Sequence, residues 1–195
     1  MNLTGLFKNL PTLETDRLLL RKISPEDAAD FFEFASDPQV ALYTTWNPHQ
    51  SVEQSRQTIK SILARYEAGE PGAWGLTLKT FPKLIGYCGL SHWEPDHRKA
   101  SLFYFLGRTY WGQGLVTEAV RALLDFGFER MDLNRIEANG HPANRATFKV
   151  LAKASLHYEA TYRQDFIKNG EFEDSEIWSI LRREWEIIHN INTNQ

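Results

Sequence analysis

Residues 108–119, Arg-Thr-Tyr-Trp-Gly-Gln-Gly-Leu-Val-Thr-Glu-Ala, constrain this chain more than any other stretch. The apolar run Ala100–Leu106 precedes them, and Val116–Met131 follows with apolar residues at helical spacing. The order is a strand, a turn punctuated by Gly112 and Gly114, and a helix. The first N–H groups of such a helix have no intrahelical partner and carry the positive end of its macrodipole. A turn stripped of side chains that leads into them is a natural anion site, so a phosphate-bearing ligand is the first hypothesis. There is no Gly-Lys-Ser/Thr for a P-loop and no third glycine at dinucleotide spacing. Glycine spacing alone leaves phosphate binding and an ordinary tight connection both open.

A chain of 195 residues suits one domain, spanning 1–195. Apolar content of 42% and charged content of 24% are those of a globular protein. A net charge of −3 with no long basic block disfavours nucleic acid as a main partner. Cys88 is the only cysteine, which excludes an internal disulfide and a Cys-based metal site; it reads as a small buried hydrophobe. His92-x-Glu94-x-Asp96-His97 has ligand-type residues, but its spacing fits no defined metal motif, and no metal is expected. No stretch approaches the ~20 apolar residues of a membrane span. Residues 1–12 lack the apolar core of a signal peptide. The expected location is the cytoplasm, with no membrane partner.

Pattern and punctuation predict the remaining elements. Arg17–Ile23 reads as a strand. Ser24-Pro25-Glu26-Asp27 starts a helix that runs to about Ser36. Val52, Ser55, Ile59, Ile62 and Tyr66 share one face of a second helix, capped by Ser51 and ended by Gly69. Ala73–Leu78 and Leu84–Trp93 are strands around a turn at Phe81-Pro82-Lys83, and Ala100–Leu106 is the fourth strand. The helix Leu115–Met131 would bury Val116, Val120, Leu123, Gly127 and Met131. Arg135–Gly140 is the fifth strand and Asn144–Ala154 a helix. Tyr158–Phe166 and Phe172–Leu181 form a hairpin around Asn169-Gly170, and the tail after Trp185 reads as frayed. The order gives an α/β (α+β) fold with a mixed, mostly antiparallel, seven-stranded sheet flanked by helices. Only the fourth and fifth strands need be parallel, because a helical crossover joins them.

Residues 100–119 resemble motif A of the GNAT acetyltransferases. Tyr-Trp-Gly-Gln-Gly-Leu-Val-Thr-Glu-Ala is similar to the version in the RimJ/RimL-type branch, which acetylates N-termini of ribosomal proteins. Leu13-Glu14-Thr15-Asp16-Arg17-Leu18-Leu19-Leu20-Arg21 resembles that branch's first strand. Asn134-Arg135-Ile136-Glu137-Ala138 and Pro142-Ala143-Asn144 resemble its fifth strand and the Asn that follows. Asn169-Gly170-Glu171-Phe172-Glu173-Asp174 and Trp178–Trp185 resemble its closing hairpin, so the likeness covers about 13–185 in order.

The resemblance implies acetyl-CoA as cosubstrate. Backbone N–H groups of Trp111, Gly112, Gln113, Gly114, Leu115, Val116 and Thr117 would hold its pyrophosphate. The fourth and fifth strands would splay, and the backbone of Phe103, Tyr104 and Phe105 would pair with the pantetheine amides. Asn144 matches the Asn that bonds the same arm, and it equally suits an N-cap. Lys149 or Arg145 would meet the 3′-phosphate.

Catalytic groups depart from the family pattern. Ser101 and Asn139 stand where relatives carry Glu, and Leu151 where many carry a proton-donating Tyr. Thr147 keeps the hydroxyl of the branch's Ser and is the candidate donor to the departing thiolate. His141 and Asp165, with His92 and Glu94, are candidate bases. An α-amine with pKa ~7.7–8.0 is partly neutral already and could dispense with one. Tyr43, Trp46, Trp74 and Trp93 could line the acceptor site under a Thr44–Gln50 lid. The expected activity is acetyl transfer to a primary amine, with a protein N-terminus as acceptor, by a monomer or homodimer. The alternatives are a small-molecule amine acceptor and a silent acyl-CoA-binding domain.

Overall fold

The chain begins with α1 (Leu3–Lys8), β1 (Leu13–Glu14) and β2 (Leu18–Arg21). Next come α2 (Ala28–Ala35), α3 (Pro38–Ala41), α4 (Val52–Ala68), β3 (Ala73–Leu78), β4 (Phe81–Glu94) and β5 (Lys99–Leu106). It ends with α5 (Leu115–Asp125), β6 (Arg135–Gly140), α6 (Arg145–Lys153), β7 (His157–Lys168), β8 (Glu171–Leu181) and α7 (Arg182–Thr193). The computed structural model describes residues 3–193.

Local chemistry sets most of these boundaries. Ser51 is extended, and its hydroxyl accepts from Gln54 N–H to start α4. Gly69 ends that helix in the left-handed region, at φ 70°. Ser55, Ile59, Ile62 and Tyr66 are its buried face. The helix expected from Ser24 opens as a 3₁₀ turn, Pro25–Asp27, and becomes α-helical at Ala28. There the Asp27 carboxylate accepts from Ser24 N–H at 2.8 Å and pairs with Arg21 at 2.6 Å.

Eight strands form one sheet in the order β1-β2-β3-β4-β5-β6-β8-β7. The count exceeds seven because Leu13 and Glu14 add a short edge strand against Leu20 and Leu19. Phe81–Lys83 belongs to β4 rather than to the turn, which lies at Lys79–Thr80. Pro82 is tolerated there because it sits near the strand's start, beside a register shift. The segment after Leu181 is helical, not frayed. Trp185 docks it by donating to Asp125 at 2.8 Å and packing on Phe128.

α5 buries Leu115, Ala119, Val120, Leu123 and Leu124, and a π-helical turn, Phe126–Arg130, carries it on. Val116 is not part of that stripe; it is half-buried and lines a cleft, while Leu115 and Ala119 face the core. Gly127 lets the sheet approach closely, since a Cβ there would lie 2.6 Å from Ile136 Cδ1.

Every strand pair is antiparallel except β5 with β6. Those two pair only at Lys99↔Arg135, Ala100↔Ile136 and Ser101↔Glu137. From Leu102 to Leu106, β5 is paired with β4 alone. Alternate N–H and C=O groups on its other edge therefore have no strand partner. This is the splay that the family resemblance implies.

Candidate active site

The glycine turn fills the end of this gap. Gly112 and Gly114 have φ of 73° and 78°, a region that side-chain-bearing residues enter at a cost. Gly114 is the N-cap of α5 and offers no side chain to its first N–H groups. Asn144 caps α6 and Ser51 caps α4 with side-chain oxygens, whereas the N-terminus of α5 has no side-chain cap. Those free donors face a cleft of about 660 Å³. Its walls are the turn, the unpaired edge of β5, the end of β6 and the face of α6.

The cleft gathers most of the residues expected to hold the donor. Phe103, Tyr104, Phe105, Trp111, Gly112, Gly114, Leu115, Val116, Thr117, Asn144 and Lys149 all line it. Gln113 does not; its carbonyl turns away and accepts from Arg17 Nη1 at 2.9 Å. Asn144 uses its side-chain oxygen to cap α6, accepting from Thr147 N–H at 3.3 Å. Its amide NH₂ has no protein acceptor among the described residues and is left for a ligand. Arg145 pairs with Glu176 at 3.7 Å, whereas exposed Lys149 has no ion pair among the described residues.

A brace behind the turn was not foreseen from sequence. Glu118, in the first turn of α5, accepts from the Thr15 hydroxyl, from Arg17 N–H at 2.8 Å and from Arg17 Nε at 2.7 Å. The same Arg17 holds the Gln113 carbonyl. Burial would raise the Glu118 pKa, but these hydrogen bonds and the Arg17 charge outweigh it and hold the carboxyl below its usual value. The signal lay in the two matching motifs, which contain Arg17 and Glu118 at opposite ends of this contact.

At the inner end of the cleft, Thr147 sits across the gap between the strands. Its hydroxyl lies 2.7 Å from the Tyr104 hydroxyl on β5. Its methyl abuts β6, where a Cβ at Gly140 would come within 3.0 Å of Thr147 Cγ2. His141 lines the same cleft, with Tyr43 stacked obliquely at 5.3 Å and Phe166 edge-on at 6.4 Å. Its Nδ1 accepts from Ala143 N–H at 3.0 Å, so the proton sits on Nε2, which donates to Glu173 at 3.2 Å. Neither nitrogen keeps a free lone pair. Asp165 is exposed at the cleft margin and accepts from the buried Ser175 hydroxyl at 2.5 Å.

Of the four aromatic residues expected at the acceptor, only Tyr43 lines the cleft. Trp74 is fully buried, donates to Pro11 O and packs on Phe126: a core residue. Trp93 packs edge-on against Phe7 at 6.0 Å, also outside the cleft. Trp46 lies edge-on to Phe105 at 5.6 Å without lining the cleft, and its buried Nε1–H has no partner among the described residues. Large aromatics pack wherever area is to be buried, and composition does not say where. The expected lid is tied down: Lys168 on β7 donates to Ala41 O at 2.6 Å and to Thr44 O, and His49 N–H donates to Ala35 O. Among the described residues no cluster of His, Cys, Asp or Glu could hold a metal ion, and no helix is long and apolar enough to cross a membrane.

An open helix N-terminus, a splayed parallel strand pair and a cleft joining them offer a phosphate-bearing ligand free N–H groups at one end and an unpaired strand edge along its length. Residues 17–157 match the Acetyltransferase (GNAT) domain family, and the chain belongs to it. The uncharacterized N-acetyltransferase p20 of Bacillus licheniformis is 35% identical over 176 residues, 90% of this chain and 99% of that protein. The ribosomal protein uS5-alanine N-acetyltransferase of Escherichia coli is 24% identical over 93% of this chain and 97% of its own. The solved structure of RimL, a ribosomal α-N-protein acetyltransferase, in complex with coenzyme A has the same fold. Its TM-score is 0.79 at 18% identity, over 88% of this chain and 98% of that one. The protein is an N-acetyltransferase that uses acetyl-CoA.

Proposed function

We propose that the acceptor is the α-amine of a protein or peptide N-terminus, acetylated by direct attack in a ternary complex. The observation that carries the donor half is the uncapped α5 N-terminus opening into the strand gap. The acceptor half is supported by the names of two relatives, which act on ribosomal proteins. It is also supported by Glu173 and Asp165 at the acceptor end, which favour a cationic group.

In this reading the N–H groups from Gly112 to Thr117 hold the pyrophosphate, Lys149 meets the 3′-phosphate, and the β5 edge with Asn144 aligns the pantetheine arm. The thioester carbonyl then lies in the gap, where a neutral amine attacks it. Thr147 gives a hydrogen bond to the sulfur as the C–S bond breaks. His141 positions: with Ala143 N–H on one nitrogen and Glu173 on the other, its ring is held in place and fixes the acceptor wall. The proton of the attacking amine goes to water, which an α-amine of pKa ~7.7–8.0 permits, and coenzyme A leaves as the thiolate, hydrogen-bonded to Thr147, and takes its proton from solvent.

Thiol release from acetyl-CoA, screened against Ser-, Ala- and Met-initiated peptides, polyamines and aminoglycosides, tests the acceptor. Turnover with small amines but no peptide would refute the N-terminal reading. For the residues, Thr147→Val removes only the hydroxyl, and kcat should fall about 100- to 10,000-fold with acetyl-CoA affinity little changed. His141→Ala should raise the acceptor KM and leave the shape of the pH–rate profile intact. An unchanged kcat in Thr147→Val, with loss of an imidazole limb in His141→Ala, would reverse the two assignments.

A further inference from the structure

Leu151, which stands where the family resemblance implies a tyrosine, is buried in this chain. A different tyrosine lines the same cleft from the opposite wall. Tyr104 projects from β5 across the strand gap, and its hydroxyl stops 2.7 Å from Thr147 Oγ1 and 3.3 Å from Thr147 O.

A threonine hydroxyl has a single proton. On a helix that proton is ordinarily drawn back to a backbone carbonyl one turn earlier, where it is useless to a ligand. Whichever group donates to Thr147 Oγ1 decides where the proton points. Of the two acceptors within reach of the Tyr104 proton, Oγ1 is the nearer by a wide margin. Thr147 N–H is engaged by the Asn144 cap, and its methyl is held against Gly140. We infer that Tyr104 is a positioning residue for thioester cleavage: by donating to Thr147 Oγ1, it turns the single Thr147 proton into the strand gap, toward the departing sulfur. No proton leaves Tyr104 in this arrangement. It polarises and aims the hydroxyl that touches the sulfur, and burial pushes its own pKa up to about 12, so it stays a donor throughout the working pH range. The inference rests on the reading of Thr147 as the group beside the sulfur.

The test is a double-mutant cycle on Tyr104→Phe and Thr147→Val, read as thiol release with a peptide acceptor and, without acceptor, as slow acetyl-CoA hydrolysis. Tyr104→Phe keeps the ring. It should lower kcat about 2- to 12-fold, the worth of one neutral hydrogen bond, with acetyl-CoA Kd unchanged and Tm lowered only by the few degrees that one such bond is worth. In the Thr147→Val background the same change should do nothing, because nothing is left to aim. In Thr147→Ser, which restores a hydroxyl, the Tyr104→Phe loss should reappear. Incorporating 3-fluorotyrosine in place of Tyr104 keeps the shape and makes the phenol a stronger donor; kcat should rise. Full activity in Tyr104→Phe, an equal loss in both backgrounds, or no gain with the fluorinated side chain would overturn the role of Tyr104 while leaving Thr147 in place. An unchanged kcat in Thr147→Val alone would remove both.

Discussion

Gly114→Val tests the donor site at its least forgiving position. Gly114 holds a φ of 78° at the head of α5, a conformation that costs an L-residue about 1–2 kcal/mol. Space within the protein is not the obstacle, since the nearest neighbour of a Cβ there is Arg17 Nη2 at 3.6 Å. The strain has two outlets. If the turn keeps its shape, the cost falls on folding, and Tm drops by about 2–8 °C for a chain of this size. If the turn relaxes, its N–H groups swing away from the cleft and the cost falls on binding, where it raises Kd about 5- to 30-fold. The branched side chain also obstructs the approach of a phosphate, so the expected outcome is at least a tenfold weaker Kd for acetyl-CoA. Gly170→Val is the control: its φ is 87°, at the tip of the β7–β8 hairpin, with open space around it. It carries the same strain and should not touch binding. Calorimetric titration gives Kd. Melting curves at 100 times Kd should show about 2.7 kcal/mol of ligand stabilisation in the wild type. Unaltered acetyl-CoA affinity in Gly114→Val, or equal weakening in Gly170→Val, would refute the placement of the pyrophosphate.

Other perturbations have defined outcomes. Cys88 is fully buried in β4, and burial pushes its thiol pKa up, so Cys88→Ala should keep most of the turnover; acetyl trapped on Cys88 in a single-turnover experiment would contradict direct transfer. Glu118→Gln removes the charge that anchors Arg17 behind the turn, and should weaken acetyl-CoA binding several-fold, about 1 kcal/mol; an unchanged Kd by titration would show that the brace serves folding alone. Glu159 has its pKa lowered from 4.5 to about 2, first by Arg135 and then by the Ser179 hydroxyl. A depressed carboxylate stabilises the fold above its unfolded pKa and loses that contribution as pH falls through the folded value. Acid melts should therefore steepen between pH 4.5 and about 2, and Glu159→Gln should flatten that window. An identical acid limb in Glu159→Gln would refute the linkage.

The geometry of the proposed donor half was legible in the sequence because it is main-chain geometry. Gly112 and Gly114 signal positive φ and the helical periodicity after them signals a helix N-terminus, and the structure has both; that the turn holds an anion is the proposal built on them. The caps at Ser51 and Asn144 and the hairpin at Asn169-Gly170 are local in the same sense. The extent of α7 and the start of β4 were not legible. Tertiary contacts set them: Trp185 on Asp125 in one case, a register shift beside Leu78 in the other.

The acceptor half depends on which faces meet across the sheet, and residue type says little about that. Four aromatic side chains looked equally eligible, yet Trp74 went into the core and Trp93 packs half-buried against it, while Tyr43 reached the cleft. His141 looked like a base by its intrinsic pKa. What argues for a positioning role instead is the Ala143 N–H and the Glu173 carboxylate on its two nitrogens, one of them supplied by a strand more than thirty positions downstream. Tyr104 shows the converse. The sequence assigns it only a backbone role on β5, whereas alternation along the strand turns its side chain, unlike those of Phe103 and Phe105, onto Thr147 of α6. The hydroxyl proposed to meet the departing sulfur is thus held by a strand–helix pair 43 positions apart, and no local motif contains both.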